Sequence, residues 1–279
     1  MSQWFYSSDL HGQGSLYEQL LAMAATRKPE AVILGGDLAP HEAGRYGLER
    51  QRVFYEGFLV EFARRLAEAV PTVELLLMMG NDDWAGNTPC LERHDGTLWR
   101  QIHGRSVEVR GTRVAGLSWV PITPFEMKDW ERWDDGGDDE QPGRLEGLGS
   151  RDGRVEAVAF DPARRAPTIA SALADLVELG PADRTVFVLH SPPRETHCDQ
   201  IGAGRHVGSR AIRAFIERSQ PPLVLCGHIH ESPRVSSSYR DTLGRTVVVN
   251  PGQFGTSRLC GVWFDPADPG GTLAHTVYG

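Results

Sequence analysis

At 279 residues, 40% of them hydrophobic and 24% charged, the chain has ample material for a globular core, in one large domain or two smaller ones. Its formal net charge of −8 supplies no overall basic field, so neither nucleic acid nor an anionic membrane surface is the expected partner. No apolar run approaches the roughly 20 residues of a spanning helix. The opening residues Met1-Ser2-Gln3-Trp4 lack the basic start and apolar core of a signal peptide. Cys90, Cys198, Cys226 and Cys260 are scattered, as unpaired thiols of a reducing cytoplasm would be, and the cytoplasm is the expected compartment.

Gln3 to Ser8 predicts a short strand that stops at Asp9-Leu10-His11-Gly12. A helix should follow, with Leu16, Leu20, Leu21 and Ala24 at helical spacing and Pro29 past its end. Ala31-Val32-Ile33-Leu34 reads as a buried strand closed by Gly35-Gly36-Asp37. A longer helix then carries Tyr55, Leu59, Phe62, Leu66 and Ala69 on one face, read as core, and is stopped by Pro71. Val73 to Met79 predicts the third strand, ending in Gly80-Asn81-Asp82-Asp83. This alternation argues for right-handed crossovers and a largely parallel sheet. Ligands gather outside the carboxyl ends of such strands.

From 97 to 120 the pattern changes to short alternating segments, and Arg110-Gly111-Thr112 predicts a hairpin turn. Residues 129–154, acidic and glycine-rich, read as a solvated flexible insertion, with a flap over the site as its functional alternative. Pro167 to Leu179 predicts a helix, and Thr185 to Leu189 a strand ending in His190-Ser191-Pro192-Pro193. After the helix Ser209 to Ser219, the run Pro222 to Cys226 leads into Gly227-His228-Ile229-His230. In extended chain, i and i+2 point to one side, so His228 and His230 face one location, as do Asp9 and His11. The strand-rich remainder suggests a second sheet packed on the first, within a single domain spanning 1–279.

The strand-end residues are therefore Asp9, His11, Asp37, Asn81, His190, His228 and His230. Each is a side chain that can bind metal, and each follows an apolar run. In order and spacing, Asp9-x-His11, Gly36-Asp37, Gly80-Asn81-Asp82-Asp83, His190 and Gly227-His228-x-His230 resemble the calcineurin-like metallophosphoesterase superfamily, especially small prokaryotic members. Asn250-Pro251-Gly252 is a further similar element. The resemblance implies an α/β fold, a four-layer αββα sandwich of two mixed sheets flanked by helices.

It also implies two divalent metal ions: Asp9, His11 and His230 with Asp37 on one, and Asn81, His190 and His228 with Asp37 on the other. The implied enzyme is a dinuclear-metal phosphoesterase in which a metal-bridging hydroxide attacks a phosphate ester. Mixed nitrogen and oxygen ligation suits Mn, the first expectation, or Fe, Zn, Ni or Co better than Ca. Many members carry histidine directly after the metal-binding asparagine; here Asp82 stands there. An ionised carboxylate cannot donate a proton at pH 7. Phosphodiesters are thus the favoured substrates, with Asn81, Asp82 and His206 as the catalytic candidates, and His197 a second substitute donor. The alternatives are a phosphomonoesterase and a non-catalytic metal-binding interaction module.

Overall fold

The central strand-forming runs are short, mostly apolar and buried on both faces, which is how a sheet covered on both sides reads in sequence. A computed structural model describes residues 3–135 and 143–278. The first half contains β1 (Trp4–Ser7), α1 (Gly14–Arg27), β2 (Ala31–Leu34), α2 (Gly44–Val53), α3 (Val60–Ala69), β3 (Glu74–Leu77), α4 (Thr88–Glu92) and β4 (Arg100–Gln101). Next come the hairpin β5 (Ser106–Val109) and β6 (Thr112–Leu117), the short pair β7 (Val120–Pro121) and β8 (Glu131–Arg132), the hairpin β9 (Glu146–Arg151) and β10 (Arg154–Ala159), and α5 (Ile169–Val177). The rest contains β11 (Thr185–Leu189), β12 (Gln200–Ile201), β13 (Arg205–His206), α6 (Arg210–Ser219), β14 (Leu223–Leu225), α7 (Ser232–Ser236), β15 (Arg240–Leu243), β16 (Thr246–Val249), β17 (Val262–Phe264), α8 (Pro269–Thr272) and β18 (Ala274–His275).

Two six-stranded sheets form, in the orders β18-β17-β1-β2-β3-β4 and β15-β16-β14-β11-β6-β5. Both are mixed. In the first, β1 to β4 run parallel, while β17 pairs antiparallel to β1. In the second, β6, β11, β14 and β16 run parallel between antiparallel edges β5 and β15. Alternation along each strand divides the core into layers. Trp4, Tyr6, Ile33 and Leu76 pack with Val186, Val188, Leu223 and Leu225 between the sheets. Phe5, Val32, Leu34, Leu75 and Leu77 turn outward to the apolar faces of α1 and α3. Phe187, Leu189 and Val224 turn outward to α5 and α6. Helix, sheet, sheet, helix is the resulting stack, and a Leu→Ala change in the middle layer should cost about 2–5 kcal/mol. The parallel strands bring their carboxyl ends to one edge, where the polar sequence endings lie.

Two local features depart from the sequence reading. The long helix is interrupted at Phe54–Leu59 by a π-helical turn. The stretch 129–154 is not a solvated insertion where it is described. Trp130, Glu131, Trp133 and Asp134 are buried, and 146–159 is a hairpin turned by Asp152 (φ 50°) and Gly153 (φ 72°). Burial of tryptophan and the backbone ladder outweigh the acidic composition there. Asp138, Asp139 and Glu140 lie outside the described residues.

Candidate metal centre

The loops after β1, β2 and β14 hold non-glycine residues with left-handed backbone: Asp9 (φ 61°), His11 (φ 45°), Asp37 (φ 51°) and His228 (φ 62°). Such conformations cost of order 1–3 kcal/mol each and persist only where the surroundings fix them. Here three backbone bonds zip the first two loops together: Asp9 N–H to Gly36 O (3.0 Å), His11 N–H to Asp37 O (2.9 Å) and Gly12 N–H to Leu38 O (2.8 Å). The third loop is tied in by His228 N–H, which donates to both oxygens of Asp9 at 3.0 and 3.2 Å. Close approach also requires glycine. A Cβ on Gly80 would sit 2.3 Å from Asp37 Oδ1 and 2.6 Å from His190 Nε2, and one on Gly227 2.4 Å from Asp9 Oδ2.

Donor atoms of Asp9, Asp37 and His190 lie within 4.8 Å of one another, and so do those of His11, Asp37 and Asp82. Asp37 is common to both groups. Asn81 Oδ1 lies 2.6 Å from His228 Nδ1 and 3.0 Å from His190 Nε2, which is itself 3.4 Å from Asp37 Oδ2. The rings of His11 and His230 are 5.8 Å apart. All seven strand-end residues named from sequence therefore converge on one place. His11 Nδ1 and His230 Nδ1 are buried there without a hydrogen-bond partner among the described residues. Buried polar atoms are normally satisfied, so an unpaired imidazole nitrogen beside carboxylates is a fitting place for a cation.

The two inner histidines are pushed opposite ways. Burial, with the neighbouring His190 charge, drives His228 down to about 3, leaving a neutral ring with a lone pair. Burial also opposes the charged form of His190, but Asp37, Asp9 and the Gly35 carbonyl outweigh it and bring it up to about 9. A cation bound among these carboxylates would displace that proton.

Asp82 is held from two sides. It accepts from Asn81 Nδ2 (2.9 Å) and pairs with His41 Nδ1 (2.8 Å), while His11 Nδ1 lies 3.8 Å away. Burial works against its ionised form, yet the His41 hydrogen bond and the nearby imidazoles leave its pKa lowered. Asp83 faces inward instead. It accepts from Leu38 N–H (3.0 Å), Ala39 N–H (3.0 Å), Gly80 N–H (2.9 Å) and the Tyr55 hydroxyl (2.7 Å). One carboxylate thus clamps the Asp37 loop to the Asn81 loop. Burial, then the Asp37 charge, raises it to about 6. Gln51 completes the support, donating to Asp82 O and accepting from Trp84 N–H.

The sequence reading missed His41, Tyr55 and Gln51. His41 follows Asp37 in a strand-end loop, a position that could have flagged it. Tyr55 and Gln51 lie on a helix face that reads as core, and only the fold turns their polar ends to the site. His206 lines a cavity of about 580 Å³ that also borders His228 and His230. Its Nδ1 is 2.6 Å from Oδ1 of the buried Asp199. His197 is exposed and is not part of that lining.

Two mixed sheets with nitrogen and oxygen donors gathered at their carboxyl ends define the class, an αββα phosphoesterase fold. The model of the calcineurin-like phosphoesterase family matches residues 6–232, and the chain belongs to that family. TT1561 of Thermus thermophilus shares the fold with a TM-score of 0.57 at 19% identity, over 100% of this chain and 99% of that one. A dimetal phosphatase from Danio rerio is similar with a TM-score of 0.53 at 10% identity, over 94% and 91%. A further solved structure covers 99% of both chains with a TM-score of 0.65 at 17% identity. No match is found among curated proteins. No described helix is long and apolar enough to cross a membrane.

Proposed function

We propose that the chain hydrolyses phosphate esters, diesters in preference to monoesters, at a centre of two divalent cations. The observation that carries this is the sharing of Asp37 between two groups of candidate donor atoms. In this reading, which takes its partition from the family resemblance and not from the membership of those groups (Asp9, Asp37 and His190; His11, Asp37 and Asp82), Asp9, His11 and His230 hold one ion with Asp37, and Asn81, His190 and His228 hold the other. The donor chemistry fits transition metals, with manganese the first to test. When bound, such ions polarise the phosphoryl oxygens and make water a nucleophile near neutral pH.

The chain's own residues do the rest. Neutral His228 offers a lone pair, and Asp82 holds Asn81 Nδ2 so that Oδ1 faces the two inner histidines. The Asp82 carboxylate repels a dianionic monoester more than a singly charged diester. His206, fixed through Nδ1 by Asp199, keeps Nε2 for a proton to the leaving oxygen on the cavity side. One observation favours the monoester alternative: a protonated His41 would neutralise Asp82 at 2.8 Å. Matched p-nitrophenyl mono- and diesters, assayed on protein stripped with chelator and reloaded with Mn, Zn, Ni or Mg, test the proposal. Diester turnover restored by a metal supports it; no turnover with any metal, on correctly folded protein, overturns it.

A further inference from the structure

Resting on the phosphoesterase reading, we propose that the cavity beside His228 and His230 receives the organic part of the substrate. That part is a flat aromatic ring bearing a second anionic group, the chemistry of a nucleoside carrying two phosphates. His228 and His230 belong to the cavity wall, so the cavity adjoins the centre and has room for a group esterified to phosphate there. At about 580 Å³, the space is in the range of pockets that enclose an organic ligand.

The wall carries aromatic surface at Phe125 and Phe254. Phe125 is 52% exposed and makes no ring–ring contact among the described residues. Its backbone is nevertheless fixed. Phe125 N–H donates to Thr123 Oγ1 (3.1 Å), and Thr123 is held through its N–H by Glu131 and through its carbonyl by Lys128. Lys128 and Glu131 form an ion pair at 2.8 Å whose side chains are fully buried. Burying such a pair is expensive. Here it anchors the one loop that presents Phe125. Phe254, 45% exposed, stacks on His230 at 5.5 Å and carries the Arg234 guanidinium 4.7 Å from its ring.

Charge selects the second group. Arg194, Arg205 and Arg210 line this cavity in a chain whose net charge is −8, so the positive cluster runs against the whole molecule. Of the acidic groups in the wall, Asp134 is engaged by the start of α6, and Glu231 lies 3.9 Å from His230 Nδ1. The Arg205 guanidinium makes no hydrogen bond or ion pair among the described residues, and its residue is exposed. An arginine so placed suits a phosphate or carboxylate.

The test compares kcat/KM, on Mn-loaded protein, for four p-nitrophenyl diesters whose second ester group is methyl, octyl, thymidine or 3′-phosphothymidine. We expect rises of about tenfold from methyl to thymidine and again to 3′-phosphothymidine. Phe125→Ala should collapse the first ratio and Arg205→Gln the second. An octyl ester equal to or better than thymidine, or ratios unchanged in both variants, overturns the proposal. If no diester is cleaved, the reaction reading fails, and calorimetry with thymidine 3′,5′-bisphosphate decides the cavity separately. Binding weakened about tenfold by each variant sustains the proposal; no binding to the wild type sinks it.

Discussion

His41 Nδ1 lies 2.8 Å from Asp82 Oδ2, so the loop after β2 brings an imidazole to the carboxylate beside Asn81. In the proposed reaction the pair would set how much negative charge an incoming phosphate meets. Asp82→His should raise the monoester-to-diester rate ratio several-fold, because it removes a repulsive charge and adds a donor. His41→Ala should lower the same ratio by leaving Asp82 uncompensated. Rates on p-nitrophenyl phosphate and bis(p-nitrophenyl) phosphate measure both, and a ratio unmoved by either change would make the pair a bystander.

The shared carboxylate gives a prediction on stoichiometry. Reconstituted wild type should hold close to two transition-metal ions per chain by elemental analysis, and Asp37→Ala fewer than one. Asp37→Ala and His228→Ala should each lose hydrolysis by about a thousandfold or more, while far-UV circular dichroism stays native, since the sheets behind the loops are untouched. Near-wild-type turnover in either would refute the assigned roles.

Asp83 and Tyr55 should act through position rather than contact with substrate. Tyr55→Phe removes one hydrogen bond to a buried carboxylate and should cost about 1–3 kcal/mol. Asp83→Ala leaves three buried N–H donors unpaired and should cost more. Chemical denaturation gives the stabilities. A lower kcat with KM nearly unchanged in Tyr55→Phe is the expected kinetic sign, because Asp83, the clamp between the Asp37 and Asn81 loops, loses one of the bonds that fix it.

Asp134 should matter to folding, contrary to what its acidic neighbourhood suggests. It accepts from Ser209 Oγ and from Arg210 N–H at the start of α6, which the Ser209 side chain also caps. Asp134→Ala should destabilise by about 1–2 kcal/mol, seen as a lower thermal midpoint.

His103 predicts a pH effect. Burial, then the Arg132 and Arg105 charges, lowers its pKa to about 4, and its Nδ1 accepts from Ser118 N–H while Trp130 packs on the ring. With an unfolded value of about 6.5, the unfolded chain binds the extra proton between those limits. The contribution is therefore present above about pH 6.5 and lost as pH falls toward 4, at most about 3 kcal/mol. Urea midpoints at pH 7 and 4.5 should differ less in His103→Gln than in wild type.

Much of this was legible in the chain because the central strands are short, mostly apolar and stopped by polar residues. Asp37 and Asn81 announce themselves by following such runs, and Asp9-x-His11 and His228-x-His230 by their spacing; the extended-chain alternation expected for those pairs is overturned, because Asp9, His11 and His228 are left-handed and lie in loops past the strands. What composition hid was tertiary. In 129–154 the eye goes to acidic side chains, yet Asp152-Gly153 between alternating residues is a strong hairpin signal in its own right. Trp130 and Trp133 likewise needed burial. The π-helical turn that carries Tyr55 leaves no trace in apolar spacing, because it shifts the helix face by one residue only where the Asp83 carboxylate waits for its hydroxyl.

The proposed donor residues come from both halves of the sandwich: Asp9, His11, Asp37 and Asn81 from loops of the first sheet, His190, His228 and His230 from loops of the second. Among the described residues, the seam at that rim is crossed by the Asp9–His228 bond and by the contacts of His190 and His228 with Gly35, Asp37 and Asn81. Ions seated there would rivet one sheet to the other. Chelation would then loosen the whole stack like a book losing its clasp, with amide exchange quickening at the strand ends on both pages together.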